Sequence, residues 1–168
     1  GVSIVATKDQ EQEILGMTAN SIMSVSLNPP IIIVSVGNER SILKHMKISD
    51  LISVSILSQN QSNIAEYFSK PNNETSSFFK EEENFFYIKD SVCCFFCERI
   101  DSIEIGDHTL FPLKVTKIQF DNKNPLIWFK GKYFVTAMIC GIVFSCFLSI
   151  ISLTLFLTKL NFCAHVCI

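Results

Sequence analysis

Three histidines, seven cysteines and a set of neutral hydroxyls and amides are the groups in this 168-residue sequence that could take part in chemistry. His45, His108 and His165 form no H-E-x-x-H pattern and no pair at metal-ligand spacing, so no catalytic metal is expected. Cys93, Cys94 and Cys97 are the densest thiol group. On a strand Cys93 and Cys97 would share one face and Cys94 the other. No second pair stands at zinc-ribbon distance, so they read as buried small hydrophobes. The sequence contains neither a Ser/His/Asp or Cys/His constellation nor a glycine-rich loop of Walker or Rossmann type.

Hydrogen-bonding groups of no net charge remain. Residues 14–38 contain no charged side chain, yet Thr18, Asn20, Ser21, Ser24, Ser26 and Asn28 crowd between apolar positions. A core strand has no use for so many neutral donors and acceptors. Next comes "SVGNERS", whose Gly37, Arg40 and Ser41 stand before a predicted helix over residues 39–47. A helix N-terminus with hydroxyl neighbours can bind an anion, though an N-cap and solvated turn explain the same residues. In "EIGDHTLF", Gly106 and Asp107 make a turn and His108 enters the following strand, where a structural role needs no ligand.

The elements that must position these groups are mostly strands. Alternating or β-branched runs predict strands over residues 2–6, 23–27, 31–36, 51–57, 92–105, 109–120 and 126–133. Period-two alternation puts Met23, Val25 and Leu27 on a packed face, with Ser24 and Ser26 on the opposite one. Helical spacing marks residues 39–47 and 60–68, and the polar, proline-bearing stretch 69–83 reads as a long surface loop. Six or seven strands with two or three short helices predict a barrel or sandwich.

Fourteen basic against sixteen acidic residues leave no electrostatic footprint for nucleic acid. Mean hydropathy is +0.34, with the excess at the C-terminus. Residues 133–158 carry no charge and are bracketed by Lys132 and Lys159, which exceeds the ~20 residues needed to cross a bilayer. Lysines cluster before the run, which would leave the preceding domain cytosolic. An odd number of cysteines argues for a reducing compartment. The chain opens on "GVSIVAT", already strand-like, so an N-terminal truncation is expected.

Four ordered blocks carry a resemblance: "GMTANSIMSVSLNPPIIIVSVG", "SVSILSQNQSNIAEYF", "GDHTLF" and "PLIWFKGKY". In order and approximate spacing they resemble the short-chain flavin reductase family, a flavin-binding split β-barrel that includes reductase components of two-component aromatic hydroxylases. The resemblance runs from Gly1 to about Tyr133. It implies a mainly β fold with short helices and a flavin site at a homodimer interface. Thr18, Ala19, Asn20 and Ser21 would face the isoalloxazine and ribityl chain, and Ser35, Gly37 and Ser41 would lie near the phosphate. Gly106, Asp107 and His108 would border the nicotinamide, with His108 helping to place it. The implied cofactors are FMN or FAD with NADH or NADPH, and the implied partner is a flavin-dependent monooxygenase.

The sequence departs from the family pattern at Pro112 and Leu113, where an aliphatic residue and a glycine are usual, and at Ser55, where asparagine is common. The expected organisation is an N-terminally truncated flavin reductase-like domain over residues 1–133, a candidate transmembrane helix over 134–158, for which a buried core helix and a read-through or mis-spliced end are the alternatives, and a short tail over 159–168. The expected function is an NAD(P)H-dependent flavin reductase. A non-catalytic or electron-relay flavin-binding module, tethered by the tail, is the alternative; an inactive remnant is a third reading.

Overall fold

The computed structural model describes residues 1–8, 11, 13–70 and 76–135. β1 (Ser3–Lys8) lies between β2 (Ile14–Ala19) and β5 (Leu51–Ile56). β5 pairs with β8 (Cys93–Arg99), and β8 with the long β10 (His108–Phe120). β10 continues onto β4 (Pro30–Gly37) and carries the short β9 (Ile103–Ile105), while β3 (Ile22–Leu27) closes the row on β4. The result is an eight-stranded antiparallel half-barrel sheet, ordered β2-β1-β5-β8-β10-β4-β3, with β9 on β10.

Three apolar clusters hold the described residues, the smallest being Phe85, Cys94 and Phe96. Val5, Val34, Val36, Ile52, Val54, Phe95, Phe111 and Leu113 belong to the largest, all fully buried. β-branched residues dominate because they fit a pleated, packed surface. The second cluster lies under α2 (Ser62–Ser69), where Phe68, Phe79, Phe86, Leu57 and Leu126 meet. Gly16 permits that packing: a Cβ there would stand 2.8 Å from the Phe68 ring and 2.9 Å from Phe79.

Several expectations are corrected. Met23, Val25 and Leu27 are exposed at 56%, 52% and 48%, while Ser24 and Ser26 are half-buried. Alternation located the two faces of β3 but not which one the sheet covers, because β3 is an edge strand. The stretch 69–83 is not all loop: α2 runs through Ser69, and β6 (Phe79–Glu82) pairs with β7 (Phe85–Ile88), burying Phe79. Residues 92–105 divide into β8 and β9. Residues 126–133 turn at Lys130 and Gly131, both at positive φ, into the hairpin β11 (Leu126–Phe129) and β12 (Lys132–Val135). The helix expected over 39–47 shrinks to the single turn α1 (Leu43–Met46), which has no side-chain cap.

Pro112 stands in β10 without breaking it. Its carbonyl accepts from the Ile100 N–H at 2.9 Å, so its nitrogen faces the same edge. There β10 passes from β9, whose pairing ends at Leu110, to β8, whose pairing starts at Leu113. A missing N–H costs no ladder bond at that gap. Leu113 is fully buried in the core. Ser55 is also employed: its hydroxyl accepts from the Ile88 N–H at 3.0 Å, fastening β7 to β5.

Phe134 and Val135, the first residues of the expected span, belong to β12. The rest of that span and the 159–168 tail lie outside the described residues. Among the described residues no helix is long and apolar enough to cross a membrane, and no group of three or more His, Cys, Asp or Glu could hold a metal.

Candidate functional site

The β3–β4–β10–β9 half of the sheet draws together Ser21, Ser35, Gly37 and the 106–108 turn, whereas Thr18 and Ala19 stand on β2 at the other end of the strand order. Ser21 follows the β2 strand, and its carbonyl accepts from the Ser35 N–H at 3.0 Å. Ser35 is half-buried on β4, two residues before Gly37. Gly37 ends β4 directly opposite His108, the first residue of β10. Between β9 and β10, Gly106 takes φ +60°, as the first central residue of a two-residue hairpin turn demands.

Thr18 and Ala19 do different work from their neighbours. The Thr18 hydroxyl donates to the Ala65 carbonyl of α2 at 2.6 Å, tying the helix to β2. Ala19 is packed in the core and paired with Ser3 of β1. Asn20 and Ser21 are exposed and hydrogen-bonded to each other, Ser21 Oγ to Asn20 Oδ1, at 3.3 Å.

Residues 37–41 form a turn rather than a helix start. The Arg40 N–H donates to the Gly37 carbonyl at 3.0 Å, and Ser41 follows exposed. The Arg40 guanidinium reaches the Ser69 carbonyl at the end of α2 at 3.4 Å and stands 3.6 Å from the Glu39 carboxylate. An anion here would be met by Arg40, the Ser41 hydroxyl and turn amides, with little from the macrodipole of a four-residue helix.

At the opposite turn, His108 Nδ1 is 2.8 Å from Asp107 Oδ1. An ionised carboxylate only accepts, so Nδ1 carries the proton and Nε2 is left for a ligand. The hydrogen bond and charge of His108 hold the Asp107 carboxyl below its ordinary value. Behind the turn, Lys47 pairs with Glu104 of β9 at 2.5 Å, and that contact lowers the Glu104 pKa. Sequence reasoning passed over Asn38. Its backbone N–H donates to the Asp107 carbonyl at 2.9 Å, and its side chain bonds Thr109 and Gly106. The signal was present in "SVGNERS", an amide at a strand end next to a glycine, but its partners are about seventy residues away.

An open cleft of about 630 Å³ lies elsewhere, between Gln59, Asn60, Asp90, Asn122, Lys123 and Asn124, and contains none of the candidate residues. The buried Cys93, Cys94 and Cys97 also lie apart from them in the chain and contribute packing. His45, four residues after Ser41, is half-buried, and its Nδ1 is buried without a hydrogen-bond partner among the described residues.

Comparison with known proteins bears on the family and the fold. A family model described as "Flavin reductase like domain" matches residues 1–137. An NADH-dependent flavin reductase of Pseudomonas fluorescens is 29% identical over 144 residues, spanning 79% of this chain and 81% of the relative. A flavin reductase solved in its native state superposes with a TM-score of 0.73 at 36% identity, over 80% of this chain and 88% of its own. An NADH:FAD oxidoreductase of Streptomyces globisporus, solved with NAD and FAD fragments, superposes with a TM-score of 0.75 at 26% identity, over 80% of this chain and 83% of its own. On the match over residues 1–137 and the half-barrel that underlies it, the chain belongs to the flavin reductase like domain family.

Proposed function

We propose that this chain is an NADH-dependent flavin reductase that supplies reduced flavin to a partner monooxygenase. The observation that carries the reading is the placement of Ser21, Ser35 and Gly37 beside the Gly106, Asp107 and His108 turn at one end of the sheet, in a member of this family.

The donor set fits a flavin. Asn20, Ser21, Ser35 and Ser41 are neutral hydroxyls and an amide, suited to ring carbonyls, ring nitrogens and a polyol chain. Arg40 adds one cation beside Ser41 for a phosphate. In this reading the main chain at Thr18 and Ala19, with Asn20 and Ser21, borders the ring and ribityl chain; Ser35, Gly37 and Ser41 lie at the phosphate. Gly106, Asp107 and His108 form the nicotinamide side, where Asp107 holds the His108 ring and Nε2 meets the dinucleotide. Bound flavin, FMN or FAD, supplies the acceptor for hydride from a reduced nicotinamide. The protein aligns the two and limits water, which explains why no acid–base constellation is needed.

Two assembly features belong to the proposal. The exposed Met23, Val25 and Leu27 stripe on the edge strand supports a homodimer that would complete a split β-barrel site. The catalytic unit runs through β12 to Val135; the uncharged run that follows, to residue 158, acts as a membrane anchor and 159–168 as its short tail, with the catalytic unit on the cytoplasmic side. The dinucleotide is NADH, as in the names of the relatives above.

Gel filtration of the full chain after mixing with FMN or FAD tests whether flavin is exchanged. A reductase of this kind releases flavin on the column while showing saturable quenching of flavin fluorescence in titration. Stoichiometric retention would replace it by a carrier of bound flavin, and absence of quenching would remove the site altogether.

A further inference from the structure

The 37–41 turn and the 106–108 turn are held together by one side chain that no role has yet been given. Asn38 makes three hydrogen bonds across the gap between them. Its backbone N–H donates to the Asp107 carbonyl at 2.9 Å, its Nδ2 donates to the Gly106 carbonyl at 3.4 Å, and its Oδ1 accepts from the Thr109 hydroxyl at 2.8 Å. Thr109 is fully buried, so its hydroxyl is a fixed post rather than a mobile partner. The in-register pairing of Gly37 with His108 brings the strands together, but that ladder ends at these two residues. Beyond it, the main-chain bond from Asn38 to Asp107 could form with any residue but proline at position 38. The two side-chain bonds need a group that donates and accepts at once. A carboxamide does this in one plane, whereas a carboxylate only accepts and a hydroxyl has a single donor on a shorter arm.

We infer that Asn38 is a positioning residue that locks the His108 turn to the turn bearing Gly37 and Ser41, and so sets the nicotinamide side relative to the flavin side. The inference rests on the site reading above and deepens it. Asn38 acts through His108: with the carboxamide removed, the Gly106 carbonyl and the Thr109 hydroxyl lose their partner and the hairpin tip is free to shift. A shift of about 1 Å in such a constellation is enough to lower turnover substantially.

The experiment is a double-mutant cycle on the full chain with Asn38→Ala, His108→Ala and both together, reading KM for NADH, flavin affinity by fluorescence quenching, and melting temperature. Loss of the two side-chain bonds should raise KM for NADH about ten-fold in Asn38→Ala. In the His108→Ala background the same change should cost less than about two-fold, because the group it positions is gone. Asn38→Asp, which keeps the acceptor for Thr109, should recover part of the loss, and Thr109→Val should reproduce part of it. Full additivity of the two substitutions would overturn the inference. So would an unchanged KM in Asn38→Ala while His108→Ala raises it, an outcome that leaves the site reading standing. If His108→Ala itself leaves KM for NADH unchanged, the site reading fails and the positioning role falls with it.

Discussion

Gly37 and His108 face each other as in-register partners of the β4–β10 ladder, so the end of β4, proposed to border the flavin, and the start of β10, proposed to border the nicotinamide, are set by one backbone pairing. Because that pairing does not depend on the imidazole, removing the ring should leave the flavin side in place. His108→Ala is expected to raise KM for NADH about ten-fold, the scale of one hydrogen bond to a charged or well-placed group, with flavin affinity changed less than about two-fold. Equal losses in both would mean that the histidine holds the fold rather than the dinucleotide.

Gly16→Ala tests how the helix is seated. The added methyl would enter the space of Phe68 and Phe79 and push α2 away from β2. Overpacking of this kind costs about 1–3 kcal/mol, so the melting temperature should fall. Flavin affinity should fall with it, because Thr18 is bonded to the Ala65 carbonyl of that helix. A variant as stable and as tight for flavin as the parent would show that the contact is slack.

The β6–β7 hairpin should carry a pH signature. Lys117 of β10 bonds Glu82 at 2.6 Å and Glu83 at 2.9 Å, and Gln119 donates to the other Glu82 oxygen. The Lys117 hydrogen bond holds Glu82 below its ordinary value of 4.5, and Glu82 in turn raises Lys117 above 10.5. Glu82 therefore adds stability that is complete above 4.5 and lost as pH falls through its lowered value. Lys117 adds stability that is complete below 10.5 and lost as pH rises through its raised value. The melting-temperature gap between the parent and Glu82→Gln should be level between those limits and close on the acid side. A gap that widens in acid would contradict the pairing.

Strand β3 offers the assembly test. Met23, Val25 and Leu27 present a row of exposed apolar side chains on an edge strand. Val25→Lys should convert a dimer to a monomer by sedimentation and weaken flavin binding at least about ten-fold, since a charge buried in an apolar interface is costly. A parent chain that sediments as a monomer at every concentration would sink the homodimer.

Where the candidate residues fall in the fold was legible in part because several of them sit at strand ends marked by turn chemistry. Gly106 and Asp107 announced a turn, and β10 begins at His108 as expected. The face of β3 was misread because period-two alternation is the same for an edge strand whichever side the sheet covers, and only pairing order decides. The β6 strand was hidden by its composition: Phe79, Lys80, Glu81 and Glu82 read as a charged loop, but Phe79 is buried and Glu82 is held by Lys117. Asn38 was missed for a different reason, since its partners Gly106 and Thr109 come close only after the long β10 strand has folded back on β4. No local pattern encodes that return.

The central claim is hydride transfer to flavin, and the most direct measurement is NADH oxidation by the purified full chain as FMN or FAD is added. Oxidation that is negligible without flavin, rises with it and saturates is the result predicted here. A folded chain that quenches flavin fluorescence yet oxidises no NADH at any flavin concentration would contradict it.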